Sequence, residues 1–269
     1  SIPPLLELLE REPGEEVAQY EFLGTLRFVK PIAYIAKEFD GELIEYKNGQ
    51  RYYSLTTPGH RMPAFGGKRS PFQFTTAEKG GPLGRHIPRV GILDGPGIEL
   101  PDDAIRLLLA ISADGTIDVR SDGSQYIRFA FKRERKVERL RKLLANLGIE
   151  ASDNRIAQGY QAICFRMPEG LTAFKELPGS WLVDASREQR EMILRELREW
   201  DGNGVPNRAQ EEYSTKLRAN AEWVQTLCHT TGRVSTVMAR SNQLGEWFKV
   251  SILHRKNSTS WQSLRTYER

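Results

Sequence analysis

Apolar positions in the second half of the chain form two segments with the same order of predicted elements. Residues 107–115 read LLLAISADG, an apolar helix that runs into an acidic residue and a turn glycine. Residues 194–202 read LRELREWDG and form a weaker copy of the same pattern. Each copy predicts a helix that ends in an Asp-Gly turn, with Asp114 in the first and Asp201 in the second.

The first copy continues through a predicted hairpin and a second helix. Strands are predicted at residues 116–119 and 125–131 around a turn at residues 121–123, because apolar and polar side chains alternate in the second strand. Two further strands are predicted at residues 149–156 and 161–166. The helix between the hairpin and these two strands is predicted to end at Gly148 and is indicated by apolar residues at helical spacing, namely Val137, Leu140, Leu144 and Leu147.

The second copy repeats this order with one change. Ser186 and Gln189 form a capping box at the start of its motif helix. A short irregular stretch then replaces the first hairpin, and Tyr213 is predicted to open the next helix, which Gly232 ends. Strands follow at residues 234–239 and 247–253, so the two copies predict a duplicated, pseudo-twofold domain.

The N-terminal part of the chain has a different sequence pattern, with short β-rich runs between residues 20 and 62. Asn48-Gly49 lies between two of these runs and predicts a hairpin. An amphipathic stretch at residues 3–11 precedes them. Residues 63–100 are rich in glycine and proline and are predicted to form loops, with a domain boundary near Pro96.

Composition excludes several classes of protein. A chain of 269 residues with 39% hydrophobic and 28% charged residues is typical of globular proteins. No apolar run approaches the roughly 20 residues of a membrane-spanning helix, and the N-terminus lacks a signal pattern. Cys164 and Cys228 exclude a disulfide framework or a cysteine zinc cluster and predict a reducing, cytoplasmic setting. Three of the four histidines show no metal-ligand spacing, namely His86, His229 and His254.

Basic residues concentrate between Lys132 and Lys142, although the net charge is only +4. Two explanations remain open. The run could be a solvated helix face on which Glu134 and Glu138 pair with their neighbours. Alternatively, it could form part of a surface that binds nucleic acid.

The paired aspartates indicate candidate chemistry. A single Asp-Gly turn is usually structural, but two at matching places suggest a shared site. If the motif helices pack side by side, their ends bring Asp114 and Asp201 together, and two close carboxylates repel unless cations lie between them. Divalent metals held by oxygen ligands, roughly 3.5–4 Å apart, are the usual setting for phosphodiester hydrolysis.

Residues 107–115 resemble the LAGLIDADG motif of homing endonucleases, and residues 194–202 resemble its degenerate second copy. The resemblance extends over about residues 98–253. It implies a monomer with an internal pseudo-dimer, double-stranded DNA as the partner, Mg²⁺ as the cofactor, and Asp114 and Asp201 as the metal-binding catalytic residues. It also implies that DNA contacts come from basic residues on or near a saddle of strands, for which the candidates are Arg128, Lys132, Arg133, Arg135, Arg166, Arg240 and Lys249.

The second motif departs from the family pattern. Family motif helices pack through small residues near the third and seventh positions, which are occupied here by Glu196 and Trp200 in the second copy. Either the second helix is rotated, or the interface is loosened and cleavage is lost. The alternative function is therefore a catalytically inactive DNA-binding protein of the same fold.

Thr57-Pro58-Gly59-His60 resembles the Thr-x-x-His block of the Hint domains of inteins. A histidine and a threonine hydroxyl can hydrogen-bond to a strained peptide bond and assist its acyl shift, whereas the structural alternative is a turn beside a surface histidine. Ser1 could be a splicing nucleophile, but residues 2–9 do not resemble the first Hint block, and no His-Asn pair ends the chain. We therefore expect an internal fragment, a split half or a decayed element that cannot splice alone, with a second polypeptide as the component that would complete it.

The sequence thus predicts an α+β protein with four parts. A mostly-β, Hint-like region occupies residues 1–95, and it is followed by a pseudo-twofold αββαββα domain with LAGLIDADG-like units at residues 96–180 and 181–255. A polar tail occupies residues 256–269. The predicted function is site-specific cleavage of double-stranded DNA within an intein-derived protein, and a further alternative is an intein fragment whose main role is protein splicing with a partner.

Overall fold

The computed structural model describes residues 16–21, 24–33, 38–48, 52–65, 72–79, 86–88, 90–155, 159–202, 210–243, 245–253, 258–260 and 263–267. Ser1, the predicted amphipathic stretch at residues 3–11, and His254 lie outside this part of the chain. Within it, none of the helices is both long and apolar enough to cross a membrane.

The first unit has the predicted order of elements. The hairpin has the bounds expected from the alternation of apolar and polar side chains, and its strands join a four-stranded antiparallel sheet. Two helices pack on one face of this sheet. The elements are α1 (Asp102–Asp114), β8 (Thr116–Val119), β9 (Gln125–Phe131), α2 (Glu134–Asn146), β10 (Ser152–Arg155) and β11 (Gln161–Arg166). The strands have the order β10-β11-β9-β8 in the sheet.

The second unit repeats the order of helices with a sheet of three described strands. The capping box at Ser186 and Gln189 is confirmed. The elements are α3 (Trp181–Asp184), α4 (Arg187–Asp201), β12 (Gln210–Thr215), α5 (Arg218–His229), β13 (Val234–Asn242) and β14 (Gly245–Leu253). The strands have the order β12-β14-β13 in the sheet.

The prediction that Tyr213 opens a helix is wrong. Tyr213 lies in β12, where it pairs with Val250 of β14, and the helix begins only at Arg218. Tyr213 is buried while its strand neighbours are only half-buried, which is the alternation of a strand with one face on the core. The helix was therefore predicted to begin too early, because Tyr213 belongs to the strand that precedes it.

A single apolar core joins the two units. Helix α1 is buried on nearly all sides, with Leu107 and Leu109 fully inaccessible, because it packs against α4 as well as against α2 and β9. This explains why its sequence is apolar all round, whereas an ordinary surface helix has one apolar stripe. Residues from both units belong to the same cluster of buried side chains.

The β-rich part of the chain contains more strands than predicted. Residues 63–100 were predicted to be loops, but strands cover part of this stretch, and the hairpin around Asn48-Gly49 is confirmed by pairing of its two flanking strands. The missed strands have three to five residues, too short for an alternating pattern to be visible. The elements are β1 (Val17–Tyr20), β2 (Leu26–Val29), β3 (Leu43–Asn48), β4 (Tyr52–Thr56), β5 (Arg61–Phe65), β6 (Phe72–Thr76) and β7 (His86–Pro88).

Two strands beyond the second unit return to this β-rich part, in the stretch for which only a polar tail was predicted. Strand β15 (Ser258–Ser260) pairs with β7, and β16 (Ser263–Tyr267) pairs with β3. The sheets have the orders β15-β7-β5-β6 and β16-β3-β4. The two α/β units are therefore inserted, along the chain, between strands that belong to the same sheets.

The chain segment at the predicted boundary near Pro96 is hydrogen-bonded to the second unit. The backbone N–H of Leu93 donates to the carbonyl of Thr230 at 2.9 Å, and the N–H of Arg187 donates to the carboxylate of Asp94 at 2.8 Å. A Cβ on Gly95 would lie 2.3 Å from the carbonyl oxygen of Val183. Glycine is thus required because the linker runs directly against the backbone of α3.

Candidate active site

The two motif helices end in the same way. Asp114 is the last residue of α1 and Asp201 is the last residue of α4, and the N–H of the glycine after each donates back into the helix. Gly115 and Gly202 have φ of −78° and −83°, which any residue can adopt. A Cβ would, however, lie 2.9 Å from the Cα of Ile111 and 2.4 Å from the carbonyl oxygen of Arg198, respectively. Glycine is needed at both turns for space.

The packing of α1 against α4 brings the two aspartates into electrostatic contact. Burial and, next in size, the negative charge of Asp114 together raise the pKa of Asp201 from 3.8 to about 6. The positive charges of Lys136 and Lys175 oppose this shift. The two carboxylates at the Asp-Gly turns therefore lie within electrostatic range of each other and of two ammonium groups.

Lys136 binds the first of these carboxylates directly. Its Nζ donates a hydrogen bond to Oδ2 of Asp114 at 2.5 Å, and both side chains are largely shielded from solvent. The sequence placed Lys136 only within a general basic run, because nothing in the local pattern distinguishes it from its neighbours. Its position in the first turn of α2 brings it to the end of α1.

Lys175 is a second basic residue that the sequence did not single out. Its Nζ donates to the carbonyl oxygens of Ile111 at 3.0 Å and Gly115 at 2.8 Å, so it caps the end of α1. Burial lowers the pKa of Lys175, while Asp201 and Asp114 act in the opposite direction. It lies in the irregular connection between the units, where no periodic pattern could mark it.

Asp201 opens onto a cleft of about 660 Å³. One wall comes from the end of α1 and from Lys175, and the other comes from the second unit. The lining includes two lysines, whose positive charge can attract a polyanion, together with aromatic and hydroxyl side chains. The lining residues are Ser112, Ala113, Lys175, Asp201, Tyr213, Ser214, Thr215, Lys216, Leu217, Asn220 and Trp247.

The donor set fits a divalent cation that also takes ligands from its substrate. No group of three or more His, Cys, Asp or Glu residues that could enclose a metal occurs among the described residues. Mg²⁺ is commonly bound through one or two carboxylates, with water and substrate phosphate completing its shell. Asp114 and Asp201 provide such a pair, and a cation there would compete with Lys136 for the carboxylate of Asp114.

Glu196 and Trp200, which depart from the family pattern, are well packed. The carboxylate of Glu196 is buried and accepts hydrogen bonds from the guanidinium of Arg139 and from the indole N–H of Trp200, the latter at 2.8 Å. Trp200 also stacks on Phe131, with ring centroids 5.9 Å apart. These side chains contact α2 and β9, so the interface between the units is filled.

In the first sheet, Arg128 and Arg166 point away from the core. Arg128 is exposed between the buried residues Ile127 and Phe129, and Arg166 is exposed at the end of β11. In the second sheet, Val237 and Val250 form a pair that faces the core. Arg240 and Lys249 are each an odd number of residues from this pair along their strands, so they lie on the outer face. Lys249 forms an ion pair with Glu212 at 2.5 Å.

The side chains of the basic run are divided among solvent, the first unit and the second unit. Lys132 and Arg133 are exposed. Arg135 instead donates to the backbone carbonyl of Glu199 at 2.6 Å, and Lys136 and Arg139 bind Asp114 and Glu196 as described above. Of the two explanations for this run, neither is complete, because Arg135 and Arg139 join the two units and Lys136 binds within the first unit.

Thr57 and His60 lie in the turn between β4 and β5. The backbone N–H of His60 donates to the carbonyl of Thr57 at 3.0 Å, and His60 is exposed. The strands on either side were predicted only in part, as β5 was missed. The proposed role of Thr57 and His60 in peptide-bond rearrangement stays a prediction.

Comparison with known proteins agrees with part of this interpretation. Residues 103–166 match the family model described as a LAGLIDADG-like domain. The match covers the first unit and does not reach Thr57 or His60, so the Hint assignment stays a prediction.

The solved structures to which parts of this chain are similar include two different proteins. One is the homing endonuclease I-DmoI in complex with DNA and Ca, with 12% sequence identity over 58% of this chain and 85% of that chain and a TM-score of 0.41. Another is full-length DUF199/WhiA from Thermatoga maritima, with 17% identity over 56% of this chain and 53% of that chain and a TM-score of 0.41.

A curated relative is the ribonucleoside-diphosphate reductase subunit beta of Aquifex aeolicus (strain VF5). It is 26% identical over 275 residues, which cover 87% of this chain. The alignment spans 39% of that protein's length, so the chain corresponds to about two-fifths of the relative it matches.

Proposed function

We propose that this protein is a site-specific DNA endonuclease of the LAGLIDADG type that cuts both strands of a duplex. The observation that supports this most directly is the meeting of Asp114 and Asp201 at the ends of two packed helices, where the charge of one raises the pKa of the other. Two close carboxylates are unfavourable for stability by themselves, so their juxtaposition is better explained by a cationic ligand.

Hydrolysis of a phosphodiester requires that negative charge be balanced and that water be positioned. A divalent cation such as Mg²⁺, when bound, supplies Lewis acidity and a more acidic water. Asp114 and Asp201 would hold that cation, and Lys136 would turn from the carboxylate of Asp114 towards the phosphate. Lys175 keeps the end of α1 in place through its bonds to Ile111 and Gly115.

The outer faces of the two sheets are the proposed surface for the duplex. Arg128 and Arg166 on the first sheet, and Arg240 and Lys249 on the second, would contact phosphates or base edges. Lys132, Arg133 and Arg135 would extend this surface at the start of α2. Residues on strands are suited to reading the major groove, which admits a β-ribbon.

A DNA-binding protein of the same fold that does not cut is the second candidate. The ion pair between Lys136 and Asp114 favours it, because the ammonium occupies the carboxylate oxygen that a metal would use. In that case the aspartates and lysines would neutralise each other and stabilise the contact between the units.

We also propose that the nuclease units are carried within an intein-derived protein of the cytoplasm. The units at residues 96–180 and 181–255 would be inserted into a Hint-like region formed by residues 1–95 and by the strands within residues 256–269. Pairing of β15 and β16 with β7 and β3 supports this arrangement. The partial alignment with a reductase subunit is expected for an element embedded in a longer enzyme.

Thr57 and His60 would then be remnants of the splicing site, and a second polypeptide would complete it. The test is to fuse reporter proteins to both ends of the chain and follow their ligation. Ligation without any added partner would contradict the expectation that this chain cannot splice alone.

The nuclease proposal is tested with supercoiled plasmids that carry random inserts. The protein is incubated with the library in Mg²⁺ or in Ca²⁺, cut members are recovered, and one cut plasmid is isolated as the substrate. Cleavage in Mg²⁺ supports the endonuclease. Salt-sensitive binding without cleavage in either metal would favour the DNA-binding alternative.

A further inference from the structure

The two units can be compared residue by residue from the starts of α2 and α5. The N-cap residues Arg133 and Leu217 have almost the same backbone angles, φ −93° with ψ 115° and φ −93° with ψ 118°. Each cap follows a strand that pairs with the middle of its sheet, and each helix packs near the end of a motif helix. Counting from the caps makes Lys136 equivalent to Asn220 and Phe129 equivalent to Tyr213.

This equivalence exposes a chemical difference around the two aspartates. Lys136 places its ammonium on the carboxylate of Asp114. Asn220 is buried and turns elsewhere: its side chain accepts from the N–H of Leu177 and donates to the carbonyl of Lys175, both at 2.9 Å. Within the described part of the chain, no ammonium or guanidinium group forms an ion pair with Asp201.

The neighbour of Asp201 is a phenol instead. Tyr213 is buried, and burial together with the charge of Asp201 raises the pKa of its hydroxyl, so it stays protonated. Its equivalent in the first unit, Phe129, has no polar atom. A phenol can donate a hydrogen bond, but it does not supply positive charge to a phosphate.

The lysines whose charges act on Asp201 both come from the first unit. Lys136 lies on α2, and Lys175 lies in the segment that follows β11. Lys216 of the second unit lines the cleft but is exposed, and it is not among the charges that shift the pKa of Asp201. Lys175 acts on Asp201 more strongly than on Asp114, but its Nζ is held by the carbonyl oxygens of Ile111 and Gly115. Within the described part of the chain, Asp114 is therefore the one of the two aspartates that forms an ion pair with an ammonium group.

We propose that the two halves of the site are unequal, and that the DNA strand held beside Asp114 and Lys136 is cut first, so that nicked DNA accumulates. This inference rests on the proposed endonuclease function. At each cut, one water adds to phosphorus and releases a proton to solvent, the P–O bond breaks, and the leaving oxygen takes up a proton. The ammonium of Lys136 stabilises the negative charge of this reaction in one half. In the other half Asn220 provides no ammonium, and Lys175 is held by the carbonyl oxygens at the end of α1.

The experiment follows a supercoiled plasmid that contains the isolated target through its nicked and linear forms in Mg²⁺. Wild-type protein is expected to convert nearly all of the substrate to nicked circles at a rate at least ~10-fold above that of linearisation, since one missing charge contact of about 1.4 kcal/mol changes a rate tenfold. Sequencing of the nicked ends should place the break in one strand only.

Two variants identify the cause. Lys136→Gln is expected to lower the nicking rate at least ~10-fold, whereas Lys142→Gln, which removes the same charge from an exposed position on the same helix, should not change it. Asn220→Lys should shorten the lifetime of the nicked form. Because Asn220 also anchors residues 175–177, the circular dichroism spectrum of the Asn220→Lys variant is compared with that of wild type. The comparison of Lys136→Gln with Lys142→Gln does not depend on that variant.

The possible failures can be told apart. If linear DNA appears with no nicked intermediate, or if Lys136→Gln and Lys142→Gln behave alike, the asymmetry is overturned while the endonuclease remains. If no member of the plasmid library is cut by wild-type protein in Mg²⁺, the endonuclease proposal is overturned, and the asymmetry with it.

Discussion

Glu196 of α4 and Arg139 of α2 form a two-pronged ion pair across the boundary between the two units. Nε of Arg139 donates to Oε1 of Glu196 at 2.8 Å, and a second guanidinium nitrogen binds Oε2. The carboxylate is buried, and Arg106 of α1 approaches it to 3.8 Å. A glutamate at a helix contact is therefore tolerated because the other unit brings the charge that it needs.

The first prediction concerns removal of one partner of this pair. Arg139→Met leaves a buried carboxylate without its guanidinium and should lower the free energy of unfolding by about 3 kcal/mol, measured by urea denaturation at pH 7. Arg141→Met removes an exposed pair with Asp153 and should cost no more than about 1 kcal/mol. The double change Arg139→Met with Glu196→Leu should recover most of the loss. Equal costs for the two single variants would contradict the buried pair.

A second prediction concerns the turn glycines of the two motifs. Gly115→Ala and Gly202→Ala each place a methyl group against the preceding helical turn, and overpacking of this kind costs about 1–3 kcal/mol. Both should also lower cleavage, because the adjacent aspartates shift. Gly179→Ala is the control, since no atom lies within 4 Å of its added Cβ. Equal midpoints of thermal unfolding for all three variants would show that the two turns have room for a side chain.

A third prediction concerns the pH dependence of stability in EDTA. The pKa of Asp201 is about 6 in the folded protein and 3.8 for a free side chain, so the folded state holds the extra proton between these values. The free energy of unfolding should therefore fall as pH rises from about 4 to 7, by up to about 3 kcal/mol from this group.

Asp201→Asn removes this contribution. The variant should be more stable than wild type at pH 8 and about as stable at pH 4, while Asp118→Asn at an exposed position should stay within about 0.5 kcal/mol of wild type at both. Chemical denaturation at the two pH values measures the difference. A variant that is less stable than wild type at pH 8 would show that Asp201 is not under repulsion there.

A fourth prediction concerns the two thiols. Burial raises the pKa of Cys228 to about 12, and the thiolate is the reactive form of cysteine. A chromogenic disulfide reagent at pH 8 should therefore modify only Cys164 in the folded protein and both thiols in guanidinium chloride. Modification of two thiols before unfolding would mean that α5 opens readily.

The sequence predicted the bounds of an element best where the signal lies within that element. The alternation in residues 125–131 predicted the bounds of β9, and the capping pair of Ser186 and Gln189 predicted the start of α4. Both signals are local, since they depend on which side of one element is buried or on four consecutive residues. Tyr213 was misplaced because its burial depends on β14, more than thirty residues later in the chain.

The acidic half of the site could also be predicted, and the basic half could not. Asp114 and Asp201 are marked by a repeated motif. Lys136 is one basic residue among many, and Lys175 lies in a segment without periodicity; only the packing of α2 and of the connection against α1 brings their ammonium groups to the aspartates. The short strands β15 and β16 were missed for a similar reason, because their partners lie near the other end of the sequence.

The most direct test of the paired-aspartate site compares cleavage by wild type, Asp114→Asn, Asp201→Asn and the double variant on the isolated target plasmid in Mg²⁺. If the two carboxylates act together, each single variant should lose at least ~100-fold in rate, and the double variant should be no slower than the slower single one, because residues that act as a unit are not additive. All variants should fold, as judged by cooperative thermal unfolding. Wild-type rates in both single variants would contradict a catalytic role for the pair.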